Sequence, residues 1–373
     1  MVTNFSPHYR RPLFLELSRR IDVTLVLTSR GTEWYELGGR PTDTGGLPTV
    51  SASSPAGVYQ ELAGGSYDAI IASLTGRATL LAAFAAAKVK RLPIVLWVEI
   101  WEHPRTLAHR LSRRFARALY RSADAVVTFG PHVADFVSLE SGRKHDIFVA
   151  PQAVDNEQFR TPVPPDRIAA LRERLHLLSY PTVTFVGRLE EDKGIGFLFQ
   201  ASASLDRRHQ VVVAGRGPGL TGLYEQAESL GIGDRVRFVG HLDQARIVEL
   251  LYASDVLVLP SVASKRWREP WGMVVNEAMN CGIPVVATDA VGAAAGGLVL
   301  HDQTGLVVRE RDPAELALAL DDLIRDESKR RRLGAAASAH VVHWNNHSAA
   351  DAFESALAAA EQRRCRHAGS DRS

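Results

Sequence analysis

The chain has 373 residues, a length that suits two ordinary domains better than one. Hydrophobic residues make up 46% of it and charged residues 23%, proportions that exclude disordered, collagenous and fibrous proteins. The formal net charge is only +2, so we expect no nucleic-acid partner. Two cysteines, Cys281 and Cys365, cannot build a disulfide framework or a zinc site, which suits a reducing compartment.

The start of the chain and its hydropathy bear on cellular location. No uninterrupted apolar run approaches the roughly 20 residues that a membrane span requires. The first residues, MVTNFSPHYRRP, lack the charged-then-apolar pattern of a secretory signal. We therefore predict a soluble, cytoplasmic protein.

Short β-branched runs alternate with helical patterns along almost the whole chain. In chain order, the predicted strands occupy residues 23–27, 67–73, 92–100, 124–130, 146–151, 182–187, 210–215, 236–240, 255–260 and 284–288. Helical patterns such as 77–91 and 106–123 lie between them. Strand–helix alternation at this spacing predicts an α/β fold of parallel sheets with helices on both faces.

The alternation breaks at TPVPPDR, residues 161–167, where three prolines fall within four positions. Prolines at this density can continue neither a strand nor a helix, so we predict a hinge there. The predicted domains are a Rossmann-like first domain over 1–160 and a second over 175–344. A cleft would separate them, with the carboxyl ends of both sheets facing it, where such folds bind ligands.

One candidate site segment is VTFVGRLEEDKG, which ends a predicted strand and enters a loop that carries Arg188 and Lys193. Two cations five positions apart at the carboxyl end of a strand suit a diphosphate group. The alternative is a solvated pair beside the acids of the same loop. This segment alone does not decide between the two.

A later segment, REPWGMVVNEAMNCGIPVVATDAVG, places Glu269 in a loop and Gly272 at a helix start. Free backbone N–H groups of Gly272, Met273 and Val274 would favour an anion at the helix terminus. Glycine also lets a bulky ligand approach the backbone closely. Glu277, further along this helix, is an acceptor-only group of the kind that chelates ribose hydroxyls. Together the two segments favour a nucleotide-sugar site.

The second half of the chain resembles the retaining nucleotide-sugar glycosyltransferases of the GT-B fold, in the large group-four family. The resemblance runs from about residue 146 to residue 345. Its ordered motifs are VAPQAVDNEQF, FVGRLEEDKG, VVVAGRGPG, VRFVGHL, LLYASDVLVLPS, EPWGMVVNEAMNCGIPVVATDAVGAA and TGLVV. It implies two Rossmann-like domains facing a central cleft, with a C-terminal helix at about 345–365 crossing back to the first.

The resemblance also implies roles for individual residues. Arg188 and Lys193 would bind the donor diphosphate, and Glu277 would bind the ribose. The donor-binding residues it implies are Gly187, Arg188, Lys193, Gly240, His241, Leu242, Glu269, Gly272, Met273, Val274 and Glu277. Glu269 would hold the transferred sugar, and the turn from Gly240 to Leu242 would lie near the base. Such enzymes need no metal, because the two cations and the helix terminus stabilise the leaving diphosphate, so we expect no cofactor.

The first domain would bind the acceptor, and a family histidine there lies near the transferred sugar. His103, just after the strand at 92–100, is the best positional match and completes the implied catalytic set with Glu269, Arg188 and Lys193. The competing interpretation is an ordinary loop histidine before a proline. Glu102 is a weaker candidate for the same acceptor-side surface of the site.

The beginning of the chain departs from the family, whose members open with a full strand and a glycine pair near the diphosphate. Here only MVT precedes NFSPHYRRPLF. Tyr9 and Arg10 are candidates to replace that loop on the acceptor side. Alternatively, the natural chain begins upstream of Met1.

The predicted helix at 106–123 and its approach are strongly basic. Its arginines are Arg105, Arg110, Arg113, Arg114, Arg117 and Arg121. Such a stretch is usually a core-packed helix with a solvated outer face. Basic helices of the first domain in this family can instead dock on anionic lipid, which suggests peripheral contact with the inner membrane face through 105–121.

The sequence therefore predicts a retaining glycosyltransferase that moves a sugar from a nucleotide diphosphate sugar to a hydroxyl acceptor. The acceptor would be a cell-envelope saccharide or lipid, or a natural product. Two alternatives stay open: a sugar-nucleotide epimerase or phosphorylase of the same fold, and a non-catalytic donor-binding subunit.

Overall fold

The computed structural model describes residues 1–370 except 5, 7, 30–43, 74–75, 178, 207–208 and 266–267. The chain divides into two compact units. The first consists of Met1–Val154 and the chain from Trp344 onward, and the second of Asp155–His343. The division falls ahead of the predicted hinge at 161–167. That proline-rich segment lies within the second unit, where it connects the helix Asn156–Arg160 to the helix Pro165–Arg174, and Pro165 opens the latter at a position where its missing N–H costs nothing.

Strands and helices alternate through both units. The described strands are β1 Val2–Thr3, β2 Leu25–Leu27, β3 Thr49–Ser51, β4 Ile70–Ser73, β5 Ile94–Val98, β6 Ala125–Thr128, β7 Ile147–Val149, β8 Thr182–Val186, β9 Gln210–Ala214, β10 Val236–Gly240, β11 Val256–Leu259, β12 Val285–Thr288 and β13 Gly305–Val308. The described helices are α1 Arg11–Ser18, α2 Pro55–Gly64, α3 Arg77–Lys90, α4 Leu107–Ser122, α5 Pro131–Ser141, α6 Asn156–Arg160, α7 Pro165–Arg174, α8 Ile195–Ser204, α9 Leu220–Ser229, α10 Gln244–Tyr252, α11 Met273–Asn280, α12 Gly292–Ala295, α13 Pro313–Arg325, α14 Glu327–Val341 and α15 Asn346–Ser370. Of these helices, none is long and apolar enough to cross a membrane.

The first unit contains a parallel sheet in the order β3-β2-β1-β4-β5-β6-β7. The two-residue strand β1 lies inside this sheet, where Val2 is in register with Val26 on one side and with Ala72 on the other. Strands β4, β5 and β6 of this sheet are buried along their whole length, as expected for a sheet covered by helices on both faces.

Helix α15 belongs to the first unit although it follows the second unit in sequence. Its Phe353 packs edge-on against Trp97 of β5, with ring centroids 5.2 Å apart. Arg364 donates a hydrogen bond of 2.8 Å to the carboxylate of Asp124. The same carboxylate accepts a hydrogen bond from the backbone N–H of Ile94, so one buried acid fastens both the helix and the strand. A large apolar contact and a charged one therefore hold the C-terminal helix to this core.

The second unit contains a parallel sheet in the order β10-β9-β8-β11-β12-β13. The strand order reverses between β8 and β11, which lie side by side with Val256 in register with Val183. In doubly wound sheets the loops that leave such a reversal point diverge and leave a crevice at the carboxyl ends of the strands. The predicted architecture of parallel, doubly wound α/β units is confirmed.

Candidate functional site

Three glycines end neighbouring strands at the carboxyl edge of the second sheet. The N–H of Gly187, after β8, donates to the carbonyl of Ala214, and the N–H of Gly215, after β9, donates 2.7 Å to the carbonyl of Gly240. A Cβ on Gly215 would lie 1.8 Å from the carbonyl oxygen of Gly187, and its φ of +146° is one that side chains rarely adopt. This edge is therefore bare backbone by necessity, because the turns after neighbouring strands pack closely against each other.

Arg188 follows directly after this glycine edge. Its Nη1 donates 2.8 Å to Glu190 in the same loop, and about a third of the side chain is exposed. Leu189 between them is buried, and its N–H donates 3.0 Å to the carbonyl of Arg216. The buried leucine anchors the loop, so both charged side chains stay at its surface.

Lys193 ends a 3-10 turn, Glu191–Lys193, in the same loop. The turn closes on Gly194, whose φ is +67° and where a Cβ would lie 1.9 Å from the carbonyl oxygen of Pro260. This tight approach brings the loop after β8 against the loop after β11, where the N–H of Val262 donates 2.8 Å to the carbonyl of Asp192. Lys193 is consequently mostly buried at the reversal point of the sheet.

The ammonium group of Lys193 pairs with the carboxylate of Glu269, which lies 76 residues later in the chain. Both side chains are about one-tenth exposed. Glu269 is itself held by a β-bridge to Val291 and by a 3.1 Å hydrogen bond from the N–H of Gly292 to its carbonyl. The structure thus brings together two of the residues that the sequence predicts for one site.

Helix α11 begins at Gly272, which has a φ of +93°. A Cβ there would lie 2.5 Å from Cδ2 of Leu259, and no side chain caps the helix. The first-turn amides, including those of Met273 and Val274, therefore carry the uncompensated positive end of the helix dipole. This is the arrangement in which helix termini hold phosphate or carboxylate groups.

Glu277 lies on α11, about a turn and a half past Gly272. The side chain of Glu277 is partly buried, and no described cation forms an ion pair with it. Burial raises the pKa of its carboxyl from 4.5 to about 7. A half-buried carboxyl without a charge partner costs stability, which is typical of a group kept for a ligand.

The residues predicted to lie near the nucleotide base are two strands away from Arg188, at the end of β10. Gly240 has a φ of +70° and nothing lies within 4 Å of a Cβ placed on it. His241 is exposed, whereas Leu242 packs against the apolar cluster that includes Val212 and Leu250. The predicted donor-binding residues thus follow the ends of three strands of this sheet, β10, β8 and β11, and continue into α11.

A buried hydrogen bond that the sequence did not reveal supports the entry to α11. The indole N–H of Trp271 donates 2.7 Å to the side-chain oxygen of Asn276, and both side chains are buried. Asn280 continues the chain of amides by donating to Asn156. The only sequence signal is the spacing of Trp271 and Asn276 around a helix start.

In the first unit, Arg10 is buried rather than presented to a ligand. Its guanidinium pairs with Glu99, donates 3.2 Å to the hydroxyl of Thr3, and lies 4.7 Å from the centroid of Trp97. Tyr9, in the same 3-10 turn, is partly buried. Arg10 therefore links β1 to the loop after β5, which gives it a structural role in this unit.

His103 packs between helices α4 and α5. Its ring stacks on Tyr120 and contacts Phe136 edge-on, and its Nε2 lies 3.4 Å from the carboxylate of Glu140. Glu140 is buried, and hydrogen bonds from arginines of α4 lower the pKa of its carboxyl to about 2. Glu102, the neighbouring acceptor-side candidate, pairs with Arg105 at 2.6 Å. His103 thus contacts the helices of its own unit, and its predicted role at the transferred sugar stays a prediction.

Most of the basic residues in 105–121 are engaged within their own unit. Arg113 and Arg117 both pair with Glu140, and Arg121 donates 2.8 Å to the carbonyl of Ser141. The side chain of Arg110 lies outside the described residues. The sequence did not reveal this neutralisation, because Glu140 is on a different helix.

Among the described residues, no group of three His, Cys, Asp or Glu side chains is arranged to hold a metal ion. The polar groups at the reversal point of the second sheet are instead two cations, each paired with a carboxylate, beside an uncapped helix terminus. Such a set can bind and stabilise an anion with two phosphate groups.

The two units and this site define the class of the protein, a GT-B α/β fold, and comparison with solved structures agrees. The Anabaena protein Alr3699/HepE, solved in complex with UDP, superimposes with a TM-score of 0.79 over 96% of this chain and 98% of its own, at 22% identity. Sucrose-phosphate synthase of Thermosynechococcus elongatus gives 0.73 over 93% and 91%, also at 22% identity. At these identities the likeness shows the fold.

Residues 168–340, which lie within the second unit, match the family described as glycosyl transferases group 1. A D-inositol 3-phosphate glycosyltransferase of Xylanimonas cellulosilytica is 36% identical over 254 residues, or 65% of this chain and 58% of that protein. An alpha-D-kanosaminyltransferase of Streptomyces kanamyceticus is 29% identical over 67% of this chain and 66% of its own length. The chain thus matches less than two thirds of each of these relatives.

Proposed function

We propose that this protein transfers a sugar from a nucleotide diphosphate sugar to a hydroxyl group of an acceptor. The observation that carries the proposal is the convergence of Arg188, Lys193 and Glu269 at the reversal point of the second sheet. The family and the names of its relatives support transfer as the reaction. The complex of the Anabaena protein with UDP supports a nucleoside diphosphate as the donor portion.

In the proposed reaction the bond between the anomeric carbon and the diphosphate oxygen breaks, and a bond to the acceptor oxygen forms. The acceptor proton passes to the leaving diphosphate on the same face of the sugar, so the anomeric configuration is retained. Arg188 and Lys193 stabilise the negative charge that develops on the diphosphate, together with the first-turn amides of α11. Glu269 positions the transferred sugar through its hydroxyls.

The remaining donor contacts follow from the positions along the strand ends. Glu277 would accept hydrogen bonds from the ribose hydroxyls. The exposed turn from Gly240 to Leu242 would lie along the base, and Gly187 would let the diphosphate approach the backbone. Because cations and amides supply the charge stabilisation, we expect transfer to proceed at the same rate with and without a metal chelator.

The acceptor is proposed by chemical class, as a hydroxyl-bearing molecule. Cyclitol phosphates should be assayed as acceptors because relatives are named for D-inositol 3-phosphate. Saccharides and lipid-linked sugars should be assayed as well, because they are cell-envelope acceptors. His103 and Glu102 remain candidate contacts for the transferred sugar, with Tyr9 and Arg10 on the same acceptor side. Their present contacts imply that a side-chain rearrangement would precede such a role.

Peripheral membrane contact through 105–121, at the cytoplasmic face, is a separate part of the proposal. Arg114 is the best candidate for contact with anionic lipid, because its side chain is exposed and no described acid pairs with it. Co-sedimentation with vesicles with and without anionic lipid tests this contact. We expect lipid-dependent binding that Arg114→Ser weakens, and binding that is independent of anionic lipid would remove this part of the proposal.

The experiment that tests the function is a screen of nucleotide diphosphate sugars by thermal shift, followed by turnover of the best donor in radiolabelled form. A ligand that binds the native state raises its midpoint by mass action. We expect one donor to stabilise the protein and its label to move to an acceptor. Isomerised donor without acceptor would indicate an epimerase, phosphate-dependent glycan breakdown a phosphorylase, and binding without turnover a non-catalytic subunit.

A further inference from the structure

The pair formed by Arg188 and Glu190 carries an inference about how tightly the diphosphate is held. We propose that Glu190 is a positioning residue that holds Arg188 before the donor binds and then competes with the diphosphate for it. Glu190 would thereby lower the affinity for the nucleoside diphosphate product. This inference rests on the proposed function, because it assumes that Arg188 contacts a diphosphate.

The two cations of the site differ in how firmly their carboxylates hold them. Arg188 and Glu190 are 34% and 30% exposed, so water can solvate both groups when they separate. Lys193 and Glu269 are only 10% and 11% exposed, so separating them leaves two poorly solvated charges. Exposed ion pairs contribute little and buried ones resist disruption. Arg188 is therefore the cation that a ligand can take over most easily.

The structure also provides space for the displaced carboxylate. A cavity of about 270 Å³ lies beside the loop, between the starts of α8 and α9, and Glu190 and Glu191 are part of its wall. A Glu190 side chain that turns away from Arg188 would enter this space, where it stays hydrated. Its negative charge would nevertheless remain close to the diphosphate and weaken binding.

The neighbouring residue supplies a matched control. Glu191 carries the same charge, follows Glu190 directly and lines the same cavity, but its side chain is exposed and pairs with no described cation. Glu190→Gln and Glu191→Gln remove the same charge from nearly the same place. A difference in diphosphate affinity between the two variants therefore reports the contact with Arg188, because the loss of negative charge from the loop is the same in both.

The test is isothermal titration of the wild-type protein, Glu190→Gln and Glu191→Gln with a nucleoside diphosphate and with the matching nucleoside. The diphosphates of uridine, guanosine and adenosine are first screened on the wild type, and the one that raises the thermal midpoint most is the probe. We expect Glu190→Gln to bind the diphosphate about 2- to 5-fold more tightly, the ratio that corresponds to an exposed ion pair. Its affinity for the nucleoside should equal that of the wild type, because the nucleoside has no group that contacts Arg188.

Two results would overturn the inference. The first is a Glu190→Gln protein that binds the diphosphate no more tightly than Glu191→Gln does. The second is tighter binding of the nucleoside as well, which would mean a structural change in the pocket. If no diphosphate binds the wild type, the proposed function fails, and this inference fails with it. Binding by the wild type with equal affinity in both variants removes the inference alone.

Discussion

Glu277 links the proposed donor site to the stability of the second unit, and replacing it gives a sharp test. Burial raises the pKa of the Glu277 carboxyl from 4.5 to about 7, so the folded protein binds this proton more tightly than the unfolded chain. The folded state therefore loses stability as the pH rises from about 4.5 to 7, and the full cost is present above that range. Glu277→Gln keeps the shape of the side chain and removes the charge at every pH.

The size of the effect follows from the shift. At about 1.4 kcal/mol per pKa unit, a shift of this size is worth at most about 3 kcal/mol at pH 8 and almost nothing at pH 4. We expect Glu277→Gln to raise the free energy of unfolding at pH 8 by up to that amount, measured by urea unfolding followed by tryptophan fluorescence. Donor binding should weaken in the same variant, because the amide accepts ribose hydroxyls less strongly than a carboxylate.

The control for this experiment is Glu225→Gln, on the exposed face of α9, which should change neither stability nor donor binding. A Glu277→Gln protein that is no more stable than the wild type at pH 8 would refute the burial argument. A stabilised variant with unchanged donor affinity would instead refute the assignment of Glu277 to the donor site.

Three further predictions concern other parts of the fold. Burial and the charge of Arg235 lower the pKa of His209 to about 4, so stability is lost as the pH falls from 6.5 towards 4. His209→Asn should flatten this acid-side loss in urea unfolding at pH 4.5 and 7. Gly215→Ala should lower the thermal midpoint, because its Cβ meets backbone, whereas Gly222→Ala, with open space around it, should not. Glu140→Gln should destabilise the first unit by about 1 kcal/mol in urea at pH 7, since the buried Glu140 loses the charge that pairs it with two partly exposed arginines. Unchanged unfolding would contradict that last role.

The local signals of the second unit are strong enough to predict, from the amino-acid sequence alone, that several of its candidate site residues lie close together. Arg188 and Lys193 come directly after a buried strand, and in a parallel sheet such positions converge with those after the neighbouring strands. Glu269 is predicted next to them through its motif, and its ion pair with Lys193 brings them together across 76 positions. Short-range pattern plus topology is sufficient there.

Three strands have no predicted counterpart, for a common physical reason. β1 and β3 have only two and three residues, and β3 is an edge strand whose residues are mostly exposed. β13 begins at a glycine, which weakens its strand signal. Their place is fixed by pairing with neighbouring strands that are distant in sequence or separated by a loop, which a single stretch of sequence does not encode.

The side-chain partners in the first unit are likewise beyond sequence patterns. The basic helix α4 permits a solvated or lipid-facing interpretation because its charges have no acid nearby in sequence. In the structure, Glu140 arrives from α5 and pairs with Arg113 and Arg117. Arg10, predicted on the acceptor side, is buried against Trp97. Tertiary pairing of charges depends on which helices pack together, and that is set by the whole fold.

The central claim is that Arg188 stabilises a departing diphosphate during sugar transfer. The most direct measurement is acceptor-dependent release of nucleoside diphosphate by the wild type and by Arg188→Ala, with the donor that the thermal-shift screen selects. We expect Arg188→Ala to lower kcat/KM by about 100-fold or more, as the loss of a charge-stabilising donor does in other enzymes. The same variant turning over that donor at the wild-type rate would contradict the claim.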